Sequence, residues 1–129
     1  MIILDTDHWV ALLRGRLTMA ERVSPMDNLG ITAISVAELT HGARKSARVE
    51  DNLARLDILL ATLVILPFDE AAARHFGLLK AHLEQTGNRL ADLDLQIASI
   101  ALAGHHTLIT HNIKHFARIP NLQWDDWLS

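Results

Sequence analysis

The chain has 129 residues, 50% hydrophobic and 21% charged, with a formal net charge of -3 and no cysteine. This composition is typical of one globular domain, which we expect to span residues 1–129, and it excludes a disordered protein or a coiled coil. Disulfides and thiolate metal sites are excluded, as expected for a protein of the reducing cytoplasm. The acidic balance excludes nucleic-acid binding over the whole surface and leaves only local basic patches, of which the candidates are Arg14 with Arg16, and Arg44, Lys45 and Arg48.

Short apolar runs alternate along the chain with segments of helical periodicity. This alternation predicts an α/β fold in which a five-stranded parallel sheet is flanked by helices on both faces. The predicted strands are 2–4, 31–34, 63–66, 107–110 and 122–124. None of the apolar runs approaches the roughly 20 residues that span a bilayer, so we expect no membrane segment, and the N-terminus does not resemble a secretory signal.

The helices between these strands are predicted from their apolar spacing. Segments 7–13 and 18–23 are the weaker two. In two further segments, apolar residues are spaced four, three and four positions apart, which predicts two amphipathic helices, each with one core-facing stripe. The first stripe is Val49, Leu53, Leu56 and Leu60, and the second is Ala72, Phe76, Leu79 and Leu83. Segment 93–103 is apolar almost all round, which predicts a deeply buried helix ended by Gly104.

Four acidic residues are predicted to meet at one edge of this sheet. Asp5 directly follows the first strand, and Glu38 lies in the predicted first turn of the helix after the second strand. The helix with Asp92 and Asp94 in its first turn leads into the fourth strand and runs antiparallel to it. Its N-terminus therefore lies at that strand's C-terminal end. Because parallel strands share one C-terminal edge, all four acids are expected there, together with Thr110 and Asn112 from the end of the fourth strand.

Each of these residues also has a purely structural explanation. Ser35 and Glu38 fit a capping box, Asp92 and Asp94 suit a helix N-terminus, and Asp5 or Asp7 is a candidate N-cap. Thr110 and Asn112 fit a short capped turn. Crowded carboxylates, however, raise one another's pKa and oppose folding unless a cation neutralises them. Oxygen ligands of this kind suit Mg²⁺ or Mn²⁺, which activate water for attack on a phosphodiester.

Other titratable groups are less informative. Asp69 and Glu70 fit an ordinary helix N-terminus, and we leave them outside the site. Four histidines are close in sequence but lack a recognisable zinc-ligand spacing, so we expect surface histidines at His105, His106, His111 and His115.

Four blocks of sequence, in this order and spacing, resemble one known family. They are residues 3–7, residues 35–39 with 42–43, residues 94–98, and residues 108–112 with Phe116. Together they are similar to PIN-domain ribonucleases of the VapC toxin type, and the resemblance extends over the whole chain to the terminal segment 124–127.

The resemblance implies a Mg²⁺- or Mn²⁺-dependent endoribonuclease, the toxin of a bacterial toxin–antitoxin pair, with RNA as substrate. It assigns the catalytic acids to Asp5, Glu38 and Asp94, of which Asp5 and Asp94 bind the metal and Glu38 orients or deprotonates water. Asp7, Asp92, Thr110 and Asn112 have supporting roles. Asn112 stands where the family often has a further aspartate, so one metal ion is a safer prediction than two.

The family also implies a homodimer and a cognate antitoxin whose tail fills a groove beside the site. Candidate lining residues, which core packing explains equally well, are Trp9, Leu12, Leu13, Leu53 and Leu56.

Two alternatives remain open for the function. They are a metal-dependent nuclease or phosphatase acting on something other than RNA, and a binding module that keeps the fold without catalysis. A receiver domain also gathers acids at a sheet edge, but its phospho-acceptor aspartate is missing here because Pro67 and Phe68 follow the third strand.

Overall fold

A computed structural model describes residues 1–18 and 28–128 of the protein. The strands are β1 (Ile2–Leu4), β2 (Leu29–Thr32), β3 (Val64–Leu66), β4 (Thr107–Ile109) and β5 (Gln123–Asp125). The helices are α1 (Thr6–Leu13), α2 (Ala33–Arg44), α3 (Val49–Leu60), α4 (Glu70–Gln85), α5 (Asp92–Ala103) and α6 (Ile113–Phe116). Most of the predicted helix 18–23 lies outside the described residues. Within them, no helix has the length and apolar character needed to cross a membrane.

The strands form one parallel sheet in the order β3-β2-β1-β4-β5. β1 is central, and its register pairs Ile3 with Gly30 of β2 on one side and with Leu108 of β4 on the other. The predicted five-stranded α/β fold is therefore confirmed. Because all the strands run in the same direction, β1, β2 and β4 end at a common edge, from which α1, α2 and α6 begin.

The second strand is displaced from its predicted range of 31–34. It ends at Thr32, whose side-chain oxygen accepts a hydrogen bond from the Ser35 amide at 3.1 Å and so caps α2. Residues 33 and 34 are consequently helical. Thr32 satisfies one of the free amide groups of the first turn, and this local bond ends the strand two residues earlier than the apolar run Ile31–Ile34 predicts.

Each face of the sheet carries its own apolar core. Consecutive strand residues point to opposite faces, so Ile3 packs with α4 and α5 whereas Leu4 packs with α1, α2 and α3. The predicted stripes of α3 and α4 turn inward at Leu56, Leu79 and Leu83. The prediction for α5 is confirmed by its buried residues, which are Leu95, Ile97, Ala98, Ser99, Ile100 and Ala101.

Gly104 is the C-cap of α5, as predicted, but it does not adopt a left-handed conformation. Its φ is -100°, and His105 is the residue with positive φ. A Cβ on Gly104 would lie 2.1 Å from Nε2 of His106. The glycine therefore leaves room for this imidazole, which any larger residue at position 104 would displace.

Candidate active site

Asp5 is held at the point where the central strand meets α1. It is the N-cap of α1, and its Oδ1 accepts a hydrogen bond from the Thr6 amide at 2.8 Å. Its Oδ2 accepts one from the hydroxyl of the fully buried Thr110 at 2.9 Å. The Thr110 hydroxyl oxygen also accepts a hydrogen bond from the backbone amide of Asn112 at 3.0 Å. The same hydroxyl group of Thr110 thus stabilises the turn after β4 and holds the Asp5 carboxylate in place.

Glu38 lies in the second turn of α2, not in the first, because α2 starts at Ala33. The capping-box interpretation is wrong, since Thr32 caps the helix and Glu38 bonds elsewhere. Glu38 Oε1 accepts from the Thr6 hydroxyl at 2.7 Å, and that hydroxyl lies 2.9 Å from the Ser35 hydroxyl. Thr6 has one hydroxyl proton, which goes to Glu38, so Ser35 must donate to Thr6. This chain of hydroxyl groups anchors Glu38 to the residue next to Asp5.

Asp94 enters the site from the first turn of α5. Its Oδ2 lies 3.5 Å from the side-chain amide nitrogen, Nδ2, of Asn112 and 3.3 Å from Nδ1 of His115. The same Asn112 nitrogen is 2.7 Å from Nδ1 of His115, and its two N–H groups allow it to donate to both partners. His115 therefore contacts the site through Asp94 and Asn112, and its side chain is 43% exposed, as expected for a surface histidine.

Asp7 is held through both of its carboxylate oxygens. Oδ1 lies 2.8 Å from Nδ1 of His8, and Oδ2 accepts from the His111 amide at 3.1 Å. The His111 ring reaches Oδ2 of Asp126 at 2.8 Å. His111 thus connects the turn after β4 to Asp7 by its backbone and to the C-terminal segment by its side chain.

These residues line one cavity of about 340 Å³ at the C-terminal edge of the sheet. The lining residues are Asp5, Thr6, Asp7, Glu38, Asp94, His111 and Asn112. The four carboxylates come from the N-cap of α1 and from the first or second turns of α1, α2 and α5, which are far apart in the sequence. No lysine or arginine is among the lining residues in the described part of the chain. The predicted convergence of Asp5, Glu38 and Asp94 is therefore present in the structure.

The electrostatics of the cavity are unfavourable without a counter-ion. Burial, and next the neighbouring Asp7 carboxylate, raise the pKa of Asp5 from 3.8 to about 7. Asp94 adds a smaller rise, and the hydrogen bonds from Thr110 and Thr6 oppose it. Positive charge in the cavity would lower this pKa and favour the ionised form of Asp5.

Asp92 does not join the other acids. Its Oδ1 accepts from Lys80 at 2.9 Å, and it lines a different cavity together with Leu83, Arg89 and Leu90. Asp92 and Asp94 are two residues apart, so they are separated by about 200° around the helix axis. The predicted supporting role of Asp92 is therefore not matched by its position.

The donor set of the cavity fits a hard divalent cation. It offers carboxylate, amide and hydroxyl oxygens and no cationic side chain that would compete for them. Among residues 1–18 and 28–128, no three His, Asp or Glu side chains form a ready-made metal cage. An open carboxylate cavity suits Mg²⁺ or Mn²⁺, which keep several waters and need only one or two protein carboxylates.

Sequence reasoning missed three residues of this site. Thr6 was passed over although it directly follows Asp5 and carries a hydroxyl. His115 is three residues after Asn112, a spacing that brings the two side chains together on a helix such as α6. His111 contacts Asp7 through its backbone amide, a contact for which the sequence contains no signal.

A second groove, of about 240 Å³, adjoins the acidic cavity and shares Thr6 and Glu38 with it. It runs between α1, α2 and α3, and its other lining residues are Val10, Leu13, Arg14, Leu39, Gly42, Ala43, Ser46, Asn52, Arg55 and Leu56. Leu13 and Leu56 are thus groove residues, as predicted, whereas the predicted Leu12 and Leu53 are not among the lining residues. Trp9 is fully buried in the core and does not line the groove.

Comparison with known proteins agrees with this geometry. The family model described as PIN domain matches residues 2–122. Ribonuclease VapC2 of Rickettsia felis is 41% identical over 107 residues, 83% of this chain and 80% of that protein. The tRNA(fMet)-specific endonuclease VapC of Salmonella typhimurium is 35% identical over 97 residues, 75% of this chain and 74% of that protein.

Among solved structures, the fold is similar to the crystal structure of VapBC2 from Rickettsia felis bound to a DNA fragment from their promoter. The TM-score is 0.91 at 37% identity, with 98% of this chain and 99% of that chain covered. The similarity therefore extends over nearly the whole of both chains. The fold, the cavity and these relatives together establish that the chain belongs to the PIN-domain family, among its VapC-type ribonucleases.

Proposed function

We propose that the protein is a Mg²⁺- or Mn²⁺-dependent endoribonuclease that hydrolyses RNA phosphodiester bonds as the toxin of a toxin–antitoxin pair. The observation that carries this proposal is the cavity in which Asp5, Asp7, Glu38 and Asp94 meet without a lysine or arginine among its described lining residues. Relatives named as ribonucleases supply the substrate class. We also propose that it acts in the cytoplasm, because bacterial RNA is made and translated there.

Asp5 and Asp94 are the carboxylates that we assign to the metal ion. When bound, a divalent ion polarises the phosphoryl oxygen and lowers the pKa of water. Asp94 Oδ1 has no hydrogen-bond partner among the described residues, and each Asp5 oxygen retains a lone pair beyond its one hydrogen bond. Asn112 and Thr110 hold these two carboxylates in place, and Asp7 adds negative charge beside Asp5.

Glu38 is assigned to the attacking water. Its Oε1 is fixed by the Thr6 hydroxyl, and its Oε2 has no hydrogen-bond donor among the described residues. Oε2 is thus available to orient a water molecule or to accept its proton. A general base needs this combination of a fixed side chain and a free acceptor atom within reach of the reacting group.

The substrate assignment is tested by incubating the protein in Mn²⁺ with tRNA, single-stranded RNA, DNA of matched sequence and small phosphate esters. The tRNA specificity in the name of the Salmonella relative makes tRNA the first RNA to try. We expect cleavage of RNA alone, measured on denaturing gels. Hydrolysis of DNA or esters with intact RNA would favour the non-RNA nuclease or phosphatase, and no cleavage of any substrate would favour the binding module.

Metal binding should also raise the melting temperature. An ion that binds only the folded protein stabilises it by about 2.7 kcal/mol at a concentration 100 times its dissociation constant, which is several degrees for a chain of this size. We expect this rise with Mg²⁺ and Mn²⁺ in differential scanning fluorimetry, relative to EDTA. A melting temperature that responds to neither ion would contradict a metal-neutralised cavity.

The partner that we propose is a cognate antitoxin. The similar VapBC2 structure supports such a partner, and the groove of Leu13, Arg14, Arg55 and Leu56 adjoins the acidic cavity. A polypeptide tail in this groove would lie against Thr6 and Glu38 and block the approach of RNA. Copurification with the product of an adjacent antitoxin gene tests the pairing, and separate elution of the two proteins would contradict it.

We further propose that the protein is a homodimer. Ile58 is 71% exposed on α3, and Val64 and Ile65 are exposed on the edge strand β3. Exposed apolar residues along an unpaired strand edge favour association and aggregation unless they are covered. Light scattering of the purified protein measures the mass directly, and a monomer at micromolar concentration would contradict the dimer.

A further inference from the structure

His8 lies between the acidic cavity and the end of the chain. It is fully buried in the first turn of α1, one residue after Asp7. Its Nδ1 is 2.8 Å from Oδ1 of Asp7, and its Nε2 accepts a hydrogen bond from the backbone amide of Trp127 at 3.1 Å. Both ring nitrogens are therefore engaged, one with a cavity carboxylate and the other with the C-terminal segment.

The Trp127 contact determines where the imidazole carries its proton. A backbone N–H can only donate, so Nε2 must be the acceptor and the proton must reside on Nδ1. That proton then points to Asp7. Oδ1 of Asp126 is 3.6 Å from Nε2, longer than a hydrogen bond, and its other oxygen contacts the His111 ring at 2.8 Å.

Asp7 depends on this contact for its orientation. Its second oxygen accepts from the His111 amide, so the carboxylate is held from both sides and cannot rotate freely. It lines the cavity with Asp5, on which it exerts the largest effect of any neighbouring charge. A rotated Asp7 would present its charge differently to any cation in the cavity.

We propose that His8 is a positioning residue of the active site, which holds the Asp7 carboxylate toward the cation-binding cavity and ties it to the C-terminal segment through Trp127. This proposal rests on the metal-dependent function proposed above. It predicts that His8 raises metal affinity through the hydrogen bond from Nδ1 to Asp7, and not merely because its buried side chain stabilises the fold. Hydrogen-bond partners of metal ligands commonly change metal affinity by roughly 10–100-fold, and because His8 holds a carboxylate beside the assigned ligand Asp5, we expect an effect at the lower end of this range.

Two amide substitutions separate the two ring nitrogens. In His8→Asn, the amide nitrogen takes the place of Nδ1 and can still donate to Asp7. In His8→Gln, the longer side chain reaches the place of Nε2 and can accept from Trp127, but it has no donor at the Nδ1 position. We expect His8→Gln to weaken Mn²⁺ binding about 10-fold or more and His8→Asn to retain most of the affinity, as measured by calorimetry without RNA.

A control for general destabilisation is Leu83→Ala, which opens a cavity in the core on the opposite face of the sheet. Its melting temperature should fall while its Mn²⁺ affinity is unchanged. Equal Mn²⁺ affinities for His8→Gln and the wild type would overturn the proposal, as would a loss in His8→Asn as large as that in His8→Gln.

The nitrogen spectrum of the imidazole provides a test that needs neither metal nor substrate. ¹⁵N-labelled protein in EDTA should show a signal from a histidine with its proton on Nδ1 that vanishes in His8→Gln, whereas the Nδ1–H signal expected from His111, whose Nδ1 faces Asp126, should remain. A proton on Nε2 of His8 would refute the arrangement. Failure of the wild type to bind Mn²⁺ would instead refute the metal-dependent function and the metal role of His8, whereas the spectrum would still decide how Asp7 is held.

Discussion

Asp94→Asn should abolish RNA cleavage while the fold persists. The substitution removes one of the two carboxylates assigned to the metal ion, and the metal supplies several kcal/mol of transition-state stabilisation. At 1.36 kcal/mol per tenfold, we expect kcat/KM to fall roughly 10³-fold or more. The amide remains able to contact Asn112 and His115 on α6, so the melting temperature in EDTA should be nearly unchanged or higher.

The matched control for this variant is Asp92→Asn. Both residues lie in the first turn of α5, and both substitutions remove one negative charge. Asp92, however, pairs with Lys80 outside the acidic cavity, and both side chains are largely exposed, so the pair contributes less than about 1 kcal/mol. Cleavage should be close to the wild-type rate. Equal losses in the two variants would show that the charge of the helix N-terminus matters, and not the position of Asp94 in the cavity.

Asp5→Asn should stabilise the metal-free protein at neutral and alkaline pH. The pKa of Asp5 is raised from 3.8 to about 7, so the folded protein holds this proton more tightly than the unfolded chain does. The free energy of unfolding of the wild type should therefore fall as pH rises from about 4 to about 7, and then level off. At 1.36 kcal/mol per pKa unit, the ionised carboxyl group costs about 4 kcal/mol above pH 7.

The measurement is urea unfolding in EDTA at several pH values. The variant and the wild type should have similar stability near pH 3, where Asp5 is largely protonated in both the folded and the unfolded state, and should diverge as pH rises. Mg²⁺ should reduce the difference above pH 7, because it stabilises the ionised wild type alone. Parallel stability curves from pH 4 to pH 8 would show that Asp5 ionises without cost.

Hydrophobic pattern was sufficient to predict the sheet, because the three central strands β1, β2 and β4 are largely buried and leave short apolar runs in the sequence. Element ends were less predictable. Thr32 and Ser35 are both good N-caps, and only the structure shows that Thr32 caps α2 and that Glu38 is free to bond with Thr6. The prediction for Glu38 thus reached the right edge of the sheet for a mistaken local reason.

The acidic residues show which parts of the site can be predicted from the sequence and which cannot. The edge position of Asp5 and Asp94 follows from topology alone, whereas the separation of Asp92 from Asp94 follows from helix geometry and was within reach of the sequence. The contacts of His8 and His115 are different, since each joins elements that are distant in the chain. Such contacts depend on how helices pack over the sheet, which a single sequence does not specify.

Two of the hydrogen bonds around the acidic cavity connect segments that are far apart in the sequence. Thr110 reaches back to Asp5 across 105 residues, and Trp127 reaches back to His8 across 119. A nascent chain whose last residues are still inside the ribosome lacks these bonds, and such long-range contacts form late in folding. The acidic cavity is therefore expected to form only after residues 110–127 have been synthesised and have packed against residues 5–8.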